Sequence, residues 1–393
     1  MHTKFINATD MKKARSLVDY AFGEKNFYDW FFQKNNTNPE NWLAFYSKQN
    51  VISVLCANPY VLNLYEKHIS SAYITSVTTD HIYRGLGYFR PFLNESISIL
   101  AEIYPIVFIK PIESKLYDSF GFAFYSEHLR YNINISELAH FKTSKNITLI
   151  DTTNENFYIE AFDYVYKSYL SSYHGFVSRT KTNWQNLLHI HETEGGKTTI
   201  ILMDNKPIGY MLYSIQNGTI SVPELLYLNN IALETLLSNI YQHRTQANNV
   251  VLKTPSDDLL YLKLNISQYP NATYPAKAPF MMARILDVKQ MLTMLNATKT
   301  CNENIVLKIK DDIVAKNNNN FFITTKHQNL DVEYTDIPHN AYMDISTLTQ
   351  VLIGYISVQQ AIKEDLIKVD SLITIEILQK IFCKKSTYIN EEF

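Results

Sequence analysis

The chain has 393 residues, which at roughly 100–200 residues per domain makes two to four domains. Apolar residues make up 46% and charged residues 19%, enough to build packed cores and to exclude global disorder. Lysine plus arginine number 36 against 38 acidic residues, a formal charge of −2, so the basic excess of a nucleic-acid-binding protein is missing. No stretch approaches the ~20 apolar residues of a membrane span. The longest positive cluster, Lys384-Lys385, is too small for a polybasic membrane patch. Asp10, Lys12, Lys13 and Arg15 interrupt any secretory apolar core near the N-terminus. Cys56, Cys301 and Cys383 are odd in number and far apart, which argues against a disulfide framework or a zinc cluster. The expectation is a cytoplasmic protein with no metal, no nucleic-acid partner and no membrane.

Met11, Ala14, Leu17, Val18, Ala21 and Phe22 recur at helical spacing behind Asp10, a residue suited to capping, and predict the first helix. The aromatic-rich stretch from Phe27 to Phe45 predicts a further helix or two. Val51–Cys56, Val61–Glu66 and Ser71–Thr78 predict strands, with turns at Asn58-Pro59 and Lys67-His68. A helix follows from about Tyr88 to Tyr104. Pro91 fixes its start, because a missing N–H is tolerated only where helix N–H groups have no partner anyway. Ile106–Lys110 then reads as a strand, Glu113–Phe120 as a short helix and Phe122–Ile133 as a strand.

Polarity rises over Leu138–Lys145, and a second unit begins at Ile147. Phe157–Tyr169 and Trp184–His191 have helical period. Thr198–Leu202 and Gly209–Gln216 read as strands joined through Asp204-Asn205, a hairpin signal. Ser221–Tyr227, a helix at Ile231–His243 and a strand at Asn249–Lys253 complete the unit. A third unit starts near Ala283, where Ile305, Leu307 and Ile309 alternate as a strand, Asn317–Asn320 turns and Phe321–Thr325 pairs back. Ser346 is placed to cap a helix carrying Leu348, Val351, Leu352 and Tyr355, and Leu372–Phe382 supplies another. The pattern predicts mixed α/β units followed by an α+β unit.

Glycine occurs only 10 times, so the close pair Gly85 and Gly87 is informative. Arg84-Gly85-Leu86-Gly87 lies between a strand ending in Ser76-Val77-Thr78-Thr79 and the helix marked by Pro91. Such a turn is an anion cradle: glycines let backbone N–H groups approach a pyrophosphate, the helix N-terminus adds a favourable dipole, and Arg84 and Arg90 neutralise charge. The same four residues also suit an ordinary tight turn with a solvated arginine. Further along comes Leu116-Tyr117-Asp118-Ser119-Phe120-Gly121-Phe122.

Together these features resemble the GNAT acetyltransferase superfamily, in which an Arg-x-x-Gly-x-Gly/Ala loop holds the acetyl-CoA pyrophosphate and a following Tyr lies near the thioester. Here Arg84-x-x-Gly87 is followed by Tyr88-Phe89, so the last small residue is replaced. Tyr117-x-x-Phe120-Gly121-Phe122 resembles the Tyr-x-x-Phe-Gly-Tyr/Phe segment of the Eis-like (enhanced intracellular survival) N-acetyltransferases. Gly175-Phe176-Val177-Ser178-Arg179 with Trp184, and Ser221-Val222-Pro223-Glu224-Leu225, are similar to that family's second domain. Met281-Met282-Ala283-Arg284-Ile285-Leu286-Asp287-Val288 resembles the entry to its C-terminal domain. Ser346-Thr347-Leu348-Thr349-Gln350 and Gly354-Tyr355 are similar to its sterol-carrier-protein-like domain, and the chain ends in an aromatic residue, Phe393, as family members do.

The resemblance implies an α/β (α+β) protein of tandem GNAT-like mixed-sheet domains followed by a sterol-carrier-protein-like α+β domain. The expected domains are 1–145 with the acetyl-CoA loop, 146–283 without it, and 284–393, assembled as a hexamer. Acetyl-CoA would be the cosubstrate, with backbone N–H groups of Val77, Thr78 and Thr79 on its pantetheine and Arg84, Gly85, Gly87, Tyr88 and Arg90 at its phosphates. Tyr117 would protonate the departing thiolate, and the C-terminal carboxylate of Phe393 would accept the amine proton. Phe22, Glu24 and Glu392 would meet a cationic acceptor, and Ser70-Ser71-Ala72-Tyr73, standing where relatives often carry Gly-Gly, would make the acceptor-side wall bulkier. The implied activity is direct transfer to a small amine or exposed lysine. The alternatives are a catalytically silent acyl-CoA-binding or structural assembly of the same fold, and lipid carriage by the C-terminal unit.

Other candidates are weaker. His189 and His191 in His189-Ile190-His191-Glu192 do not share a helix face and have no obvious third ligand. No nucleophile-elbow signature accompanies the serines. Phe22, Trp30 and Trp42 suit either a pocket or a core.

Overall fold

The computed structural model describes residues 1–23, 38–152, 156–264, 275–301 and 303–392. In chain order the elements are β1 (His2–Phe5), α1 (Met11–Phe22), β2 (Trp42–Ser47), β3 (Asn50–Leu64), β4 (Lys67–Thr79), α2 (Phe89–Leu100), β5 (Ile106–Ile109), α3 (Lys115–Asp118) and β6 (Ala123–Asn134). There follow β7 (Ile147–Thr152), α4 (Asn156–Leu170), β8 (Phe176–Val177), α5 (Lys181–Thr193), β9 (Lys197–Met203), β10 (Lys206–Gln216), β11 (Thr219–Tyr227), α6 (Asn230–Gln242) and β12 (Asn249–Pro255). The remainder holds β13 (Ala276–Ile285), α7 (Val288–Thr293), β14 (Asn296–Cys301), β15 (Asn304–Lys310), β16 (Asn320–Thr335), β17 (Ala341–Asp344), α8 (Ile345–Ile353), α9 (Val358–Lys363), β18 (Ile367–Val369) and α10 (Leu372–Ile381).

These elements pack as two units: Met1–Ser126 with Phe280–Lys385 and Glu391–Phe393, and Glu127–Pro279 with Ser386–Asn390. In the first unit the strand order is β1-β2-β3-β4-β5-β13. The β4–β5 pair is parallel, from Ser71↔Ile106 to Ile74↔Ile109, and its other neighbours pair antiparallel. Helix α2 links β4 to β5 and buries Phe92, Leu93, Ile97 and Leu100 at helical spacing, in one core with Ile74, Val107 and Phe120. The same unit holds a five-stranded sheet ordered β14-β16-β15-β17-β18.

Several sequence expectations are corrected here. Trp42 to Phe45 belongs to strand β2 rather than a helix. Trp42, Ala44 and Tyr46 join the core under α1 while Leu43 and Phe45 join that under α2, the two-residue period of a strand buried on both faces. Strand β3 runs unbroken through Asn58-Pro59. Its pairing with β2 ends at Cys56, so the missing N–H of Pro59 falls outside that ladder. The reversal falls at Tyr65-Glu66, whose φ values of 54° and 60° make the tight hairpin that pairs Leu64 with Lys67, and not at Lys67-His68. Asp10 precedes α1, but its side chain accepts from Tyr46 Oη at 2.9 Å and caps no helix N–H. Asp344 rather than Ser346 caps α8, accepting from the Thr347 N–H at 2.8 Å.

In the second unit the order is β6-β12-β11-β10-β9-β7, and the β9–β10 hairpin turns at Asp204-Asn205 as expected, with φ of 50° and 61°. Its core contains a buried ionic network. The Arg179 guanidinium lies over the rings of Tyr166 and Trp184 at 4.3 and 4.6 Å and donates to both oxygens of Glu224 at 2.8 Å. Glu224 also accepts from Tyr210 Oη at 2.6 Å and Asn390 Nδ2 at 2.8 Å. Asn390 Nδ2 donates to the Pro223 carbonyl as well, and Thr387 bridges to His174, so the chain is anchored close to its C-terminal end.

Burial pushes the Glu224 carboxyl up, but the Arg179 charge and the hydrogen bonds from Arg179, Tyr210 and Asn390 outweigh it and hold the group below its ordinary value. A depressed carboxyl stabilises the fold fully above its unfolded pKa of about 4.3 and loses that contribution as pH falls through the folded value. Glu224→Gln is expected to lower stability at pH 7 by about 3–5 kcal/mol, because Arg179 is left buried without a counter-charge. It should also flatten the fall in melting temperature below about pH 4.3 relative to the native chain. Parallel acid profiles for the two proteins would assign the titration to other groups.

Candidate active site

Strand β4 outruns its neighbour. β5 pairs only as far as Ile74, and β4 continues to Thr79 with no β5 partner for Thr75–Thr79. On the other side, β3 pairs Val54 with Thr78 and Cys56 with Thr75, so Ser76 and Val77 together oppose Leu55. This is a β-bulge, and Ser76 takes a left-handed φ of 55° to make it. The bulge and the early end of β5 leave the edge of Val77–Thr79 that faces away from β3 without a β5 partner. Thr79 is itself fixed, its Oγ1 lying 2.9 Å from Ser53 Oγ.

The chain leaves β4 through Asp80, which caps the next turn and pairs with Lys13 of α1 at 3.0 Å. Gly85 and Gly87 follow with φ of 75° and 80°, and open space surrounds the position a Cβ would take at each. None of the backbone N–H groups from Gly85 to Arg90 has a hydrogen-bond acceptor among the described residues. Arg84 and Arg90 are exposed. Arg84 Nε donates to the Thr79 carbonyl at 3.0 Å, and Arg90 Nη2 donates to Ser119 Oγ at 3.2 Å. The start of α2 is therefore a row of unpaired donors beside two guanidinium groups, fitted to a diphosphate.

Tyr117 lies in α3, and its ring packs edge-on against Phe89, the first residue of α2, at 6.2 Å and against Phe122 at 5.9 Å. Its side chain is buried at 7% exposure, and burial pushes the phenol up to about 12, so it holds its proton at neutral pH. Phe120 completes the link, its ring edge-on to Phe89 at 5.6 Å and under the Arg90 guanidinium at 5.3 Å. Val77–Thr79, the Arg84–Arg90 loop and Tyr117 thus belong to one neighbourhood at the end of β4 and the start of α2.

Other expected positions fare differently. Phe22 packs on the core formed with Trp42, and Trp42 is fully buried there. The Glu392 carboxylate lies 2.6 Å from Lys110 Nζ, and Tyr73 Oη donates to the Glu392 carbonyl at 3.3 Å. Tyr73 is buried and stacks on Phe108 at 4.9 Å. Glu24, Trp30 and Phe393 lie outside the described residues. His191 Nε2 lies 3.0 Å from the Lys197 carbonyl, and no group of three potential metal ligands occurs among the described residues.

Comparison with known families identifies the domains in which these features lie. Residues 2–125 match the model of an acetyltransferase (GNAT) domain, residues 175–285 match a second acetyltransferase (GNAT) domain, and residues 288–390 match a sterol carrier protein domain. The chain is a tandem GNAT N-acetyltransferase with a C-terminal sterol carrier protein domain. The likeness to Eis-like proteins read from the sequence is borne out in domain content, order and fold. Eis1 from Mycobacterium abscessus superposes with a TM-score of 0.77 at 16% identity, over 100% of both chains. A probable N-acyltransferase from Enterococcus faecalis V583 gives 0.87 at 21% identity, covering 100% of this chain and 99% of that one. A GCN5-related N-acetyltransferase from Anabaena variabilis ATCC 29413 gives 0.84 at 18% identity, covering 100% and 99%. At these identities the likeness speaks to fold. The sequence matches no curated protein. No helix among the described residues is long and apolar enough to cross a membrane.

The GNAT domains imply acetyl-CoA as acyl donor and an amine-bearing acceptor. Within this N-acetyltransferase, Ser76 escaped the sequence reading, because a serine in left-handed φ has no signature beyond its strand neighbours. Gly87→Val would force a β-branched residue into φ of 80° and reshape the loop, while its Cβ would meet open space. The Michaelis constant for acetyl-CoA is expected to rise about tenfold or more, equivalent to about 1.4 kcal/mol, with the fold intact. Unchanged acetyl-CoA affinity in a folded variant would remove the loop from the site.

Proposed function

We propose that this N-acetyltransferase moves the acetyl group directly from acetyl-CoA to a small amine or an exposed lysine, with both substrates bound together. The observation that carries the reading is a buried Tyr117, its phenol pushed up by burial, packed against the first residue of a helix whose leading N–H groups are unpaired. Acetyl-CoA supplies the activated thioester. Backbone N–H groups of Val77 and Thr79, but not that of Thr78, which faces β3, align the pantetheine arm and polarise the carbonyl, and Gly85, Gly87 and Tyr88 with Arg84 and Arg90 hold the phosphates. Tyr117 gives its proton to the departing sulfur.

The amine must lose a proton to attack, and the proposed acceptor is the C-terminal carboxylate of Phe393. Such a group titrates near 3.3–3.7 in water, and nearness to the acceptor offsets its weak basicity. Anchoring of the preceding chain at Asn390 and Glu392 supports this role. Phe22 and Glu24 belong with the acceptor, whereas Glu392, paired with Lys110, offers a cation less than a bare carboxylate would. The working domains are 1–145, 146–283 and 284–393, and the proposed assembly is a hexamer.

Thiol release from acetyl-CoA with polyamines, aminoglycosides and lysine peptides tests the activity. Acetyl-CoA binding without thiol release for any amine would favour the silent assembly. Tyr117→Phe keeps the packing and removes the proton, and kcat should fall by roughly 10²-fold or more with acetyl-CoA binding intact. Extending the chain beyond Phe393 should abolish transfer while an N-terminal extension is harmless. Full turnover by the C-terminally extended protein would discard the carboxylate as base.

A further inference from the structure

Gly121 ends the turn that carries Tyr117, with φ of 77°. A Cβ on it would stand 1.9 Å from Arg284 Nη1 and 2.6 Å from Ile345 Cγ2, so glycine is required for the guanidinium to approach. Arg284, on β13, is 1% exposed. Its Nη1 donates to the Phe120 carbonyl at 2.6 Å, and its Nη2 contacts the two Asp311 oxygens at 2.7 and 2.9 Å. Asp311 is held in turn by the N–H groups of Ile313 and Val314 at 3.0 and 3.1 Å and by Asn317 Nδ2 at 3.0 Å. The Phe120 N–H donates to the Tyr117 carbonyl at 3.0 Å, and the Phe120 ring touches Phe89 and Arg90.

A buried guanidinium–carboxylate pair adds little net stability over a well-packed apolar pair of the same volume. Such a pair does fix geometry, because the planar fork tolerates few orientations. This one is fixed from the Asp311 side by three further donors, and its free arm ends on one carbonyl in the turn that carries the acid.

We propose that Arg284 and Asp311 are positioning residues for acetyl transfer: Asp311 orients Arg284, whose hold on the Phe120 carbonyl keeps the Tyr117 phenol aimed at the departing sulfur. The inference rests on the reading of Tyr117 as the acid. It gives the sterol carrier protein domain, which contributes Asp311, a part in acetyl transfer that needs no lipid.

Arg284→Lys keeps the charge and loses the fork, and Asp311→Glu keeps the pair while moving its carboxylate by one methylene. In the full-length protein each is expected to lower kcat about tenfold or more, with the dissociation constant for acetyl-CoA within about twofold of native. Combined with Tyr117→Phe, each should be no slower than Tyr117→Phe alone, because both act through the same phenol. Native kcat in the folded variants, losses that multiply with Tyr117→Phe, or loss arising only through acetyl-CoA affinity would overturn the proposal. So would failure of both variants to fold, which would make the pair purely structural. Native turnover by Tyr117→Phe would instead show that the acid reading itself is wrong.

Discussion

Backbone groups that β4 cannot satisfy within its sheet are the constraint on which the proposed acetyl-CoA site rests. Strand β4 needs neighbours on both edges, and β5 abandons it after Ile74. The bulge at Ser76 turns the remaining stretch further from regular pairing. Val77 and Thr79 are half-buried, so their N–H groups are only partly compensated by water, and the stretch persists because surrounding structure enforces it. Here β3 holds one edge, Lys13 and Asp80 fix the exit, and α2 begins with more unpaired donors. In the proposed function, a ligand bearing a chain of acceptors, with an amide-rich arm and a diphosphate, would satisfy both sets of groups at once.

Two buried guanidinium–carboxylate pairs serve comparable ends. Arg284 and Asp311 fix the turn that carries Tyr117, and Arg179 and Glu224 fix Asn390 near the end of the chain. Each carboxylate accepts further hydrogen bonds, the condition under which burying charge is tolerable. Tyr117 thus belongs to a short segment with little structure of its own, steadied by ions drawn from elsewhere in the sequence.

Local chemistry was legible from sequence where one residue type dictates one conformation. Gly85 and Gly87 take left-handed φ, Pro91 lies in the first turn of α2, and Asp204-Asn205 makes a hairpin. Reading failed where pairing overrides propensity. Asn58-Pro59 has the composition of a turn, yet the ladder with β4 carries β3 straight through it. Trp42 to Phe45 mimics a helix because both faces are apolar, and two cores rather than one explain why. In the sequence Arg284 stands out only as part of the stretch that resembles the family's entry to its C-terminal domain. A charged residue inside the run Phe280-Met281-Met282-Ala283-Arg284-Ile285-Leu286 was the available sign of a buried partner, but its ligands at Phe120 and Asp311 are remote in sequence.

Amide hydrogen exchange with and without acetyl-CoA addresses the unsatisfied backbone most directly. The N–H groups of Val77, Thr79 and Gly85–Arg90 should exchange freely in the unliganded protein and slow markedly at saturating acetyl-CoA, while those of Thr78, which faces β3, and of α6 in the second unit stay unchanged. Protection confined to other segments, or none at Val77, Thr79 and Gly85–Arg90, would contradict the assignment of the end of β4 and the start of α2 as the acetyl-CoA site.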